Sequence, residues 1–236
     1  MIFRQLFDSE SSTYTYLLAD EQTREALLID PVLEQVERDV KLLAELGLTL
    51  RYVLETHVHA DHVTAAGLLR QRTGARVAAS RLGAPCVDLR LSHGDTLEMG
   101  EVRVEVLETP GHTDDSLCFR VGDSVFTGDT LLVRSAGRTD FQNGSASALY
   151  DSITRVLFSL PGGIRVYAGH DYKGHGVSTI DEEKRHNARA AGRSREDFVH
   201  LMNNLNLPPP KKLAQAVPAN LACGVAEPAR APAAMA

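Results

Sequence analysis

One unit constrains this chain more than any other: a short apolar strand followed by a loop that carries histidine or aspartate. The unit occurs four times, as RYVLE-THVHADH, VEVLE-TPGHT, SVF-TGDT and IRVY-AGHDY. Polar side chains on loops at strand ends can converge on a ligand without disturbing an apolar core. We therefore expect a sheet-based fold in which these four strand ends meet.

The four loops supply seven candidate metal ligands. They are His57, His59, Asp61, His62, His112, Asp129 and His170. Imidazole and carboxylate groups bind zinc, iron, manganese and related ions. A single histidine or aspartate in a turn is usually only hydrogen-bonded, so the joint pattern carries the prediction. If the strand continued, alternation would turn His57 and His59 to the same side, so both could face one ion. Asp61 and His62, which lie past the bend, could face a second ion.

The rest of the chain mixes strands with helices. Strand patterns cover IFRQLF, TYTYLLA, EALLID and SLCFRV, and helical spacing covers residues 34–47, 62–74 and 145–161, with two polar helices at roughly 179–191 and 194–206. Because both halves mix the two patterns, we predict an α/β (α+β) fold with two sheets between helical layers. A single domain over 1–236 is expected, with a helical and extended tail from about 178. From Pro208 the tail is predicted to be an extended arm.

Composition narrows the functional class. Hydrophobic residues make up 43% of the chain and the formal net charge is −6, so a sizeable core is expected and no attraction to nucleic acid or membrane. No apolar run approaches the ~18 residues of a membrane span, and no signal peptide is visible. The three cysteines, Cys86, Cys118 and Cys223, are far apart and form no CxxC motif. We expect structural thiols and a reduced, cytoplasmic location.

The order HxHxDH, then His, Asp and His, resembles the metallo-β-lactamase superfamily over about residues 10–175. That resemblance implies an αββα sandwich, two mixed sheets between helical layers, with a metal site at one edge. In the dinuclear hydrolases of the superfamily, one ion uses the residues that match His57, His59 and His112. The other uses the matches to Asp61, His62 and His170, and Asp129 bridges the two ions. The ligand set therefore permits two metals without requiring them.

Flanking segments are similar to the persulfide dioxygenases over nearly the whole length. They are LLVRSAGRTDFQNGS, AGHDYKG and NLNLPPPKKLAQAVPANLACG. GRTDFQ and PANLACG are the parts that glyoxalase II lacks. This resemblance implies one Fe(2+) per chain, held by His57, His112 and Asp129 as a 2-His-1-carboxylate triad. The seven candidate ligands together form what we call the cup. Its other four members, His59, Asp61, His62 and His170, would then orient the metal ligands and hold water.

The same resemblance implies a reaction and its partners. Glutathione persulfide would be oxidised by O2 and water to sulfite and glutathione, by an enzyme that is commonly a homodimer. Arg138 could bind a glutathione carboxylate, with Asp140 fixing the guanidinium. Tyr172 could contact the cysteinyl part of the substrate, and Lys173 is a weaker candidate. A structural ion pair for Arg138 and a packing role for Tyr172 remain open.

Two other functions are compatible with the cup. A hydrolase of glutathione thioesters that resembles glyoxalase II would use all seven ligands to hold two metals and activate a hydroxide. A metal-binding or persulfide-sensing module would keep the cup without catalysis. Iron content with sulfite formation would favour the dioxygenase, whereas two zinc ions with thioester cleavage would favour the hydrolase.

Overall fold

Two six-stranded sheets organise the protein, whose computed structural model describes residues 1–210 and 212–225. The first sheet follows chain order and consists of β1 (Ile2–Asp8), β2 (Thr13–Ala19), β3 (Glu25–Ile29), β4 (Thr49–Leu54), β5 (Arg76–Ser80) and β6 (Leu89–Leu91). β1 to β3 pair antiparallel, and β3 to β6 pair parallel. The strands predicted for IFRQLF, TYTYLLA, EALLID and RYVLE are confirmed as β1 to β4.

The second sheet also combines both kinds of pairing. It consists of β7 (Thr96–Met99), β8 (Val102–Glu108), β9 (Leu117–Val121), β10 (Ser124–Phe126), β11 (Arg165–Tyr167) and β12 (Ser178–Thr179), which lie in reverse chain order. Only β10 and β11 are parallel. Both sheets are therefore mixed, as the α/β (α+β) prediction requires.

Over residues 1–210 and 212–225, six helices cover the outer faces of the sheets. They are α1 (Val36–Glu45), α2 (Ala66–Thr73), α3 (Ala146–Asp151), α4 (Ile180–His186), α5 (Arg195–Asn203) and α6 (Leu213–Leu221). Ser145, Thr179 and Ser194 cap α3, α4 and α5 by accepting a backbone N–H in the first turn. After α3 the chain continues through a π-helical turn and a 3₁₀ turn to Ser159. No helix in the described ranges has the length and hydropathy needed to cross a bilayer.

Three apolar clusters form the layers. One lies between the sheets, where Tyr16, Phe119 and Phe126 are almost fully buried. The second packs β1 to β5 against α1 and α2, and the third packs the second sheet against α3, α4 and α5. The rings of Tyr16 and Phe126 pack at an angle of 59° with centroids 4.9 Å apart, and such aromatic pairs add about 0.5–1.5 kcal/mol beyond area burial. This layering is the predicted αββα sandwich.

Two expectations from the sequence are corrected, one about the C-terminal tail and one about the cysteines. The arm that was expected to be extended from Pro208 contains α6, because Leu213 to Ala216 are good helix formers and the helix docks on the first sheet's side. Cys86 and Cys223 are not separate thiols: they form a disulfide, with Cα atoms 5.9 Å apart. The two cysteines are 137 residues apart in sequence, so their pairing becomes visible only in the folded chain. The end of the predicted tail lies outside the described residues.

Candidate metal centre

The four motif-bearing loops meet at one edge of the sandwich, as predicted. They follow β4, β8, β10 and β11. Backbone hydrogen bonds join the two sheets there: Leu117 N donates to Thr56 O at 2.7 Å, and Tyr14 N donates to Gly169 O at 2.8 Å. The loops are therefore fixed to each other as well as to their own strands.

His57, His112 and Asp129 come together at the mouth of this edge. One ligand atom from each lies within 4.8 Å of the others. The imidazoles of His57 and His112 meet edge to face, with centroids 4.8 Å apart, and His112 Nε2 lies 3.6 Å from Asp129 Oδ2. Two imidazoles and one carboxylate in this arrangement are the donor set of a 2-His-1-carboxylate metal site.

Hydrogen bonds orient His57 for metal binding. The hydroxyl of Thr56 donates its single proton to Asp30 Oδ2 at 2.7 Å, so toward His57 Nδ1, 3.0 Å away, it can only accept. His57 therefore carries its proton on Nδ1, and the lone pair of Nε2 is free. Burial, aided by the neighbouring His59 and His112, holds the pKa of His57 well below its ordinary value, which keeps the ring neutral.

A backbone carbonyl gives His112 the same tautomer as His57, with the proton on Nδ1. Its Nδ1 donates to the carbonyl oxygen of Arg138 at 2.7 Å, because a carbonyl can only accept. The Nε2 lone pair is again left for a metal. Metal-bound histidines commonly donate their second ring N–H in this way, which fixes the tautomer and the direction of the lone pair.

Asp129 is held as a carboxylate by His170. His170 Nδ1 lies 2.6 Å from Asp129 Oδ1, which leaves Oδ2 on the side of His112. Burial acts to raise the pKa of Asp129, but His170, His112 and His57 outweigh it and hold the pKa below its ordinary value.

Asp61 and His170 form a second charged group beside the triad. Asp61 Oδ2 lies 2.8 Å from His170 Nε2 and 2.9 Å from His62 Nδ1. Thr13 Oγ1 lies 3.1 Å from His170 Nε2. Burial acts to lower the pKa of His170, but Asp129 and Asp61 raise it well above its ordinary value. The imidazolium thus bridges two carboxylates. His62 Nε2 is buried with no hydrogen-bond partner among the described residues.

His59 lies beside His57, with ring centroids 4.1 Å apart, but it does not belong to the group of His57, His112 and Asp129. Its Nε2 lies 3.2 Å from Asp30 Oδ1 and 3.5 Å from Glu55 Oε2. The reason is that residues 55–65 form an irregular loop rather than a strand, so alternation does not apply. Burial acts to lower the pKa of His59, but Asp30 and Glu55 raise it to about 9.

Sequence reasoning missed the groups behind the metal ligands. Asp30 accepts hydrogen bonds from Thr56 N and Thr56 Oγ1, both at 2.7 Å, and Glu55 Oε1 accepts one from Thr64 at 2.6 Å. A signal existed for Asp30, since it ends the strand EALLID and so repeats the strand-then-aspartate format. Thr13, Glu55 and Thr56 carry no comparable signal.

The four predicted substrate residues divide into two pairs. Arg138 is fixed: its guanidinium contacts Asp140 through two 2.7 Å hydrogen bonds, donates to Pro208 O at 2.7 Å and lies over the ring of Phe141. Tyr172, in contrast, is 69% exposed, and its ring stacks parallel to His170 with centroids 5.8 Å apart. Lys173 is exposed next to it. Asp140 therefore fixes Arg138, as the sequence suggested.

Comparisons with known proteins agree with this geometry. The metallo-beta-lactamase superfamily model matches residues 9–85 and 87–170. A human protein named persulfide dioxygenase ETHE1, mitochondrial, is 48% identical over 97% of this chain and 91% of its own length, and its mouse counterpart is 47% identical over the same shares. The crystal structure of ETHE1 from Myxococcus xanthus is 65% identical, covers 95% of this chain and all of that chain, and superposes with a TM-score of 0.94. This chain belongs to the metallo-β-lactamase superfamily and, within it, to the persulfide dioxygenase family.

Proposed function

We propose that this protein is an Fe(II)-dependent persulfide dioxygenase that oxidises glutathione persulfide with O2 and water to sulfite and glutathione. The observation that carries the proposal is the triad of His57, His112 and Asp129, whose free donor atoms converge while their other polar atoms are hydrogen-bonded. Relatives named persulfide dioxygenase, matched over almost the whole chain, support the same reaction.

The triad fits one ferrous ion. A 2-His-1-carboxylate set leaves coordination positions open for substrate and oxygen, and bound ferrous iron supplies a route for triplet O2 to react with a closed-shell sulfur. Thr56 and the Arg138 carbonyl accept from Nδ1 of the two imidazoles, which orients each ring and leaves its Nε2 lone pair for the metal. His170 holds a proton at Nδ1 against Asp129 Oδ1, so only one oxygen of that carboxylate is left for the metal.

A single metal is supported by the ion pairs beside the triad. Asp61 and Asp129 would both have to release the His170 imidazolium before they could bind a second ion. The dinuclear alternative is favoured by His59 Nδ1 and His62 Nε2, which are buried without a hydrogen-bond partner among the described residues and lie in one cluster with Asp61. The two hypotheses therefore differ in how many ions the protein holds.

Substrate contacts belong to the proposal as well. Tyr172 and Lys173 lie next to His170 at the surface, where a glutathione chain that reaches the triad would pass. Arg138 would have to share its guanidinium between Asp140, the 207–208 carbonyls and a glutathione carboxylate. We expect Tyr172→Ala to raise KM for glutathione persulfide more than it lowers kcat, since the ring lies beside the reacting centre rather than in it.

One experiment decides between the two reactions. The protein is purified anaerobically, iron and zinc are counted per chain, and O2 uptake and sulfite formation are followed with glutathione persulfide. We expect about one iron per chain and sulfite formation coupled to O2 uptake. Two zinc ions per chain, with cleavage of a glutathione thioester and no O2 uptake, would overturn the proposal.

Location and assembly are also proposed rather than established. We propose a cytoplasmic location and a homodimeric assembly, the latter because the family is commonly dimeric. Exposed apolar groups at the edge strand β1, including Phe7 at 45% exposure, are compatible with a subunit contact. Cell fractionation tests the location, and light scattering during gel filtration tests the assembly; a monomeric mass would exclude the dimer.

A further inference from the structure

The backbone of the HxHxDH loop is held by side chains. Within the described part of the chain, residues 57–62 make no hydrogen bond from their backbone to another backbone group. Three side chains hold them instead. Asp115 Oδ2 accepts from Val58 N at 2.9 Å, Gln142 Nε2 donates to Val58 O at 2.6 Å, and Asn220 binds the far half of the loop. The loop's shape therefore depends on residues remote in sequence.

Asn220 uses its whole amide on this loop. Its Nδ2 donates to the carbonyls of His59 and His62, both at 2.9 Å, and its Oδ1 accepts from Thr64 N at 2.8 Å. The residue is 96% buried, so these bonds are shielded from solvent. An alanine here would leave two carbonyls and one N–H buried and unpaired, which such loops do not tolerate without moving.

A covalent bond fixes the segment that carries Asn220. Three residues further on, Cys223 forms the disulfide with Cys86, in the loop between β5 and β6, across 137 residues of sequence. Cys223 O also accepts from Gly67 N at 2.8 Å, in the first turn of α2. Gly224 is in the left-handed region at φ +73°, and a Cβ there would lie 1.9 Å from Thr64 O. The segment 220–224 is thus packed against Thr64 and Gly67, where the loop leads into α2.

We propose that Asn220 is a positioning residue for the metal loop and that the Cys86–Cys223 disulfide holds it there, so that the thiol state of this pair tunes how firmly the site retains its metal. The proposal rests on the loop serving a metal site, but not on the identity of the metal or of the substrate. Asn220 touches no reacting atom; it acts through the positions of His59 and His62, which flank Asp61.

The redox step is ordinary thiol–disulfide exchange with a low-molecular-weight thiol. Two small-molecule thiols reduce the bond. The first attacks one cysteine sulfur as a thiolate, forms a mixed disulfide with it and releases the other cysteine as a thiol. The second attacks the small-molecule sulfur of the mixed disulfide and releases the first cysteine. The products are the Cys86 and Cys223 thiols and one small-molecule disulfide. Cys86 is partly exposed whereas Cys223 is buried, so attack is expected at the Cys86 sulfur. Glutathione, a product of the proposed reaction, belongs to this class of reductant.

The role of Asn220 is tested with the full-length protein loaded with Co2+. Its d–d absorption bands report ligand geometry, and its release to excess EDTA reports retention. We expect Asn220→Ala to release Co2+ about 10–100-fold faster and to shift the bands, as losses of groups behind metal ligands do. Leu43→Ala is the control, because Leu43 is buried in the apolar cluster that also contains Cys223 and its side chain has no polar atom to offer the loop. Release at the wild-type rate, or equal acceleration in the control, would overturn the role.

Asn220→Asp replaces the alanine variant if the latter does not fold. It keeps the shape and the acceptor for Thr64 N but loses both N–H donors, so faster release and shifted bands are again expected. A wild-type rate for a folded Asn220→Asp would count against the proposal. Because every readout is Co2+ retention, the result stands whether or not the protein makes sulfite.

The disulfide is tested on the same release assay. Wild-type protein is reduced with a phosphine, which is removed before Co2+ release is measured, and Cys86→Ser serves as a permanently open form. We expect reduction to speed release several-fold, Cys86→Ser to match the reduced protein, and reductant to have no effect on Cys86→Ser. Equal release from oxidised and reduced wild-type protein, with mass spectrometry confirming both states, would remove the disulfide from the proposal.

Discussion

His57 and His112 are prepared for a metal by different partners, a hydroxyl and a backbone carbonyl. The backbone carbonyl cannot be removed by substitution, but the hydroxyl can. Thr56 also joins His57 to Asp30, since its Oγ1 donates to Asp30 Oδ2 while it accepts from His57 Nδ1. Its hydroxyl therefore controls the tautomer of one proposed ligand and satisfies a buried carboxylate at the same time.

We expect Thr56→Val to weaken metal binding about 10–100-fold, because His57 loses the acceptor that fixes its proton on Nδ1. Competition with a chelator of known affinity measures the change. Thr56→Ser keeps the hydroxyl and serves as the matched control, with near wild-type affinity. Equal affinities for the valine and serine variants would mean that the Thr56 hydroxyl does not set the state of His57.

Asp129 and His62 distinguish one metal from two. We expect Asp129→Ala to abolish iron binding, because the carboxylate contributes to the site under either hypothesis. His62→Ala should leave iron content largely intact, since His62 contacts Asp61 and none of the three proposed ligands through a hydrogen bond. Metal analysis of purified variants measures both, with exposed His186→Ala as the control. Loss of metal in His62→Ala would argue for the dinuclear site.

The sequence was sufficient to predict all seven side chains of the cup, because each lies next to a strand end in a recognisable motif. It could not predict their partners. Asp30, Thr56 and Asn220 reach the loop from β3, from the loop itself and from the C-terminal helix, and only the packed sandwich makes them neighbours. For the same reason the contacts of His59 with Asp30 and Glu55 were missed, since the loop's path depends on these tertiary hydrogen bonds.

Among the elements, the predictions succeeded where the pattern was periodic. TYTYLLA forms a strand with the predicted bounds, VEVLE lies in β8, which begins two residues earlier, and Gly74 ends α2 in the left-handed conformation at φ +75°. β5, with the sequence RVAAS, was missed because alanine and serine give it no β signature, although its parallel neighbours bury it. α6 was missed because its proline-rich approach and Pro218 favour a break in the absence of tertiary contacts.

Gly111 lies where helix α3 packs against the loop that carries His112. It precedes His112, its φ is +142°, and a Cβ there would lie 2.3 Å from the backbone of Leu149 in α3. We expect Gly111→Ala to push α3 and the His112 loop apart, with a loss of about 1–3 kcal/mol of stability and a fall in iron content. Urea unfolding and metal analysis measure the two effects.

Gly122→Ala is the matched control for Gly111. Gly122 also has a positive φ, +56°, but no atom lies within 4 Å of the Cβ that alanine would add. The hairpin between β9 and β10 should therefore lose only the backbone cost of about 1 kcal/mol, with iron content unchanged. Similar iron contents in both variants would contradict the proposed coupling between α3 and the metal loop.

At the scale of the whole molecule, the three cysteines report whether the disulfide is present in solution. Two of them are paired, and Cys118 is fully buried between Thr109 and the Thr127 carbonyl. Burial raises the pKa of Cys118 to about 12. Because a raised pKa favours the neutral thiol, only about 10⁻⁴ of it is thiolate at pH 8, and the thiolate is the reactive form.

We therefore expect protein purified without reductant to expose no fast-reacting thiol to Ellman's reagent at pH 8. Unfolding in guanidinium should release one thiol, Cys118, and reduction of the unfolded chain should release all three. Two fast-reacting thiols in the folded protein would identify Cys86 and Cys223 as reduced, and the segment that carries Asn220 would then be held by hydrogen bonds alone.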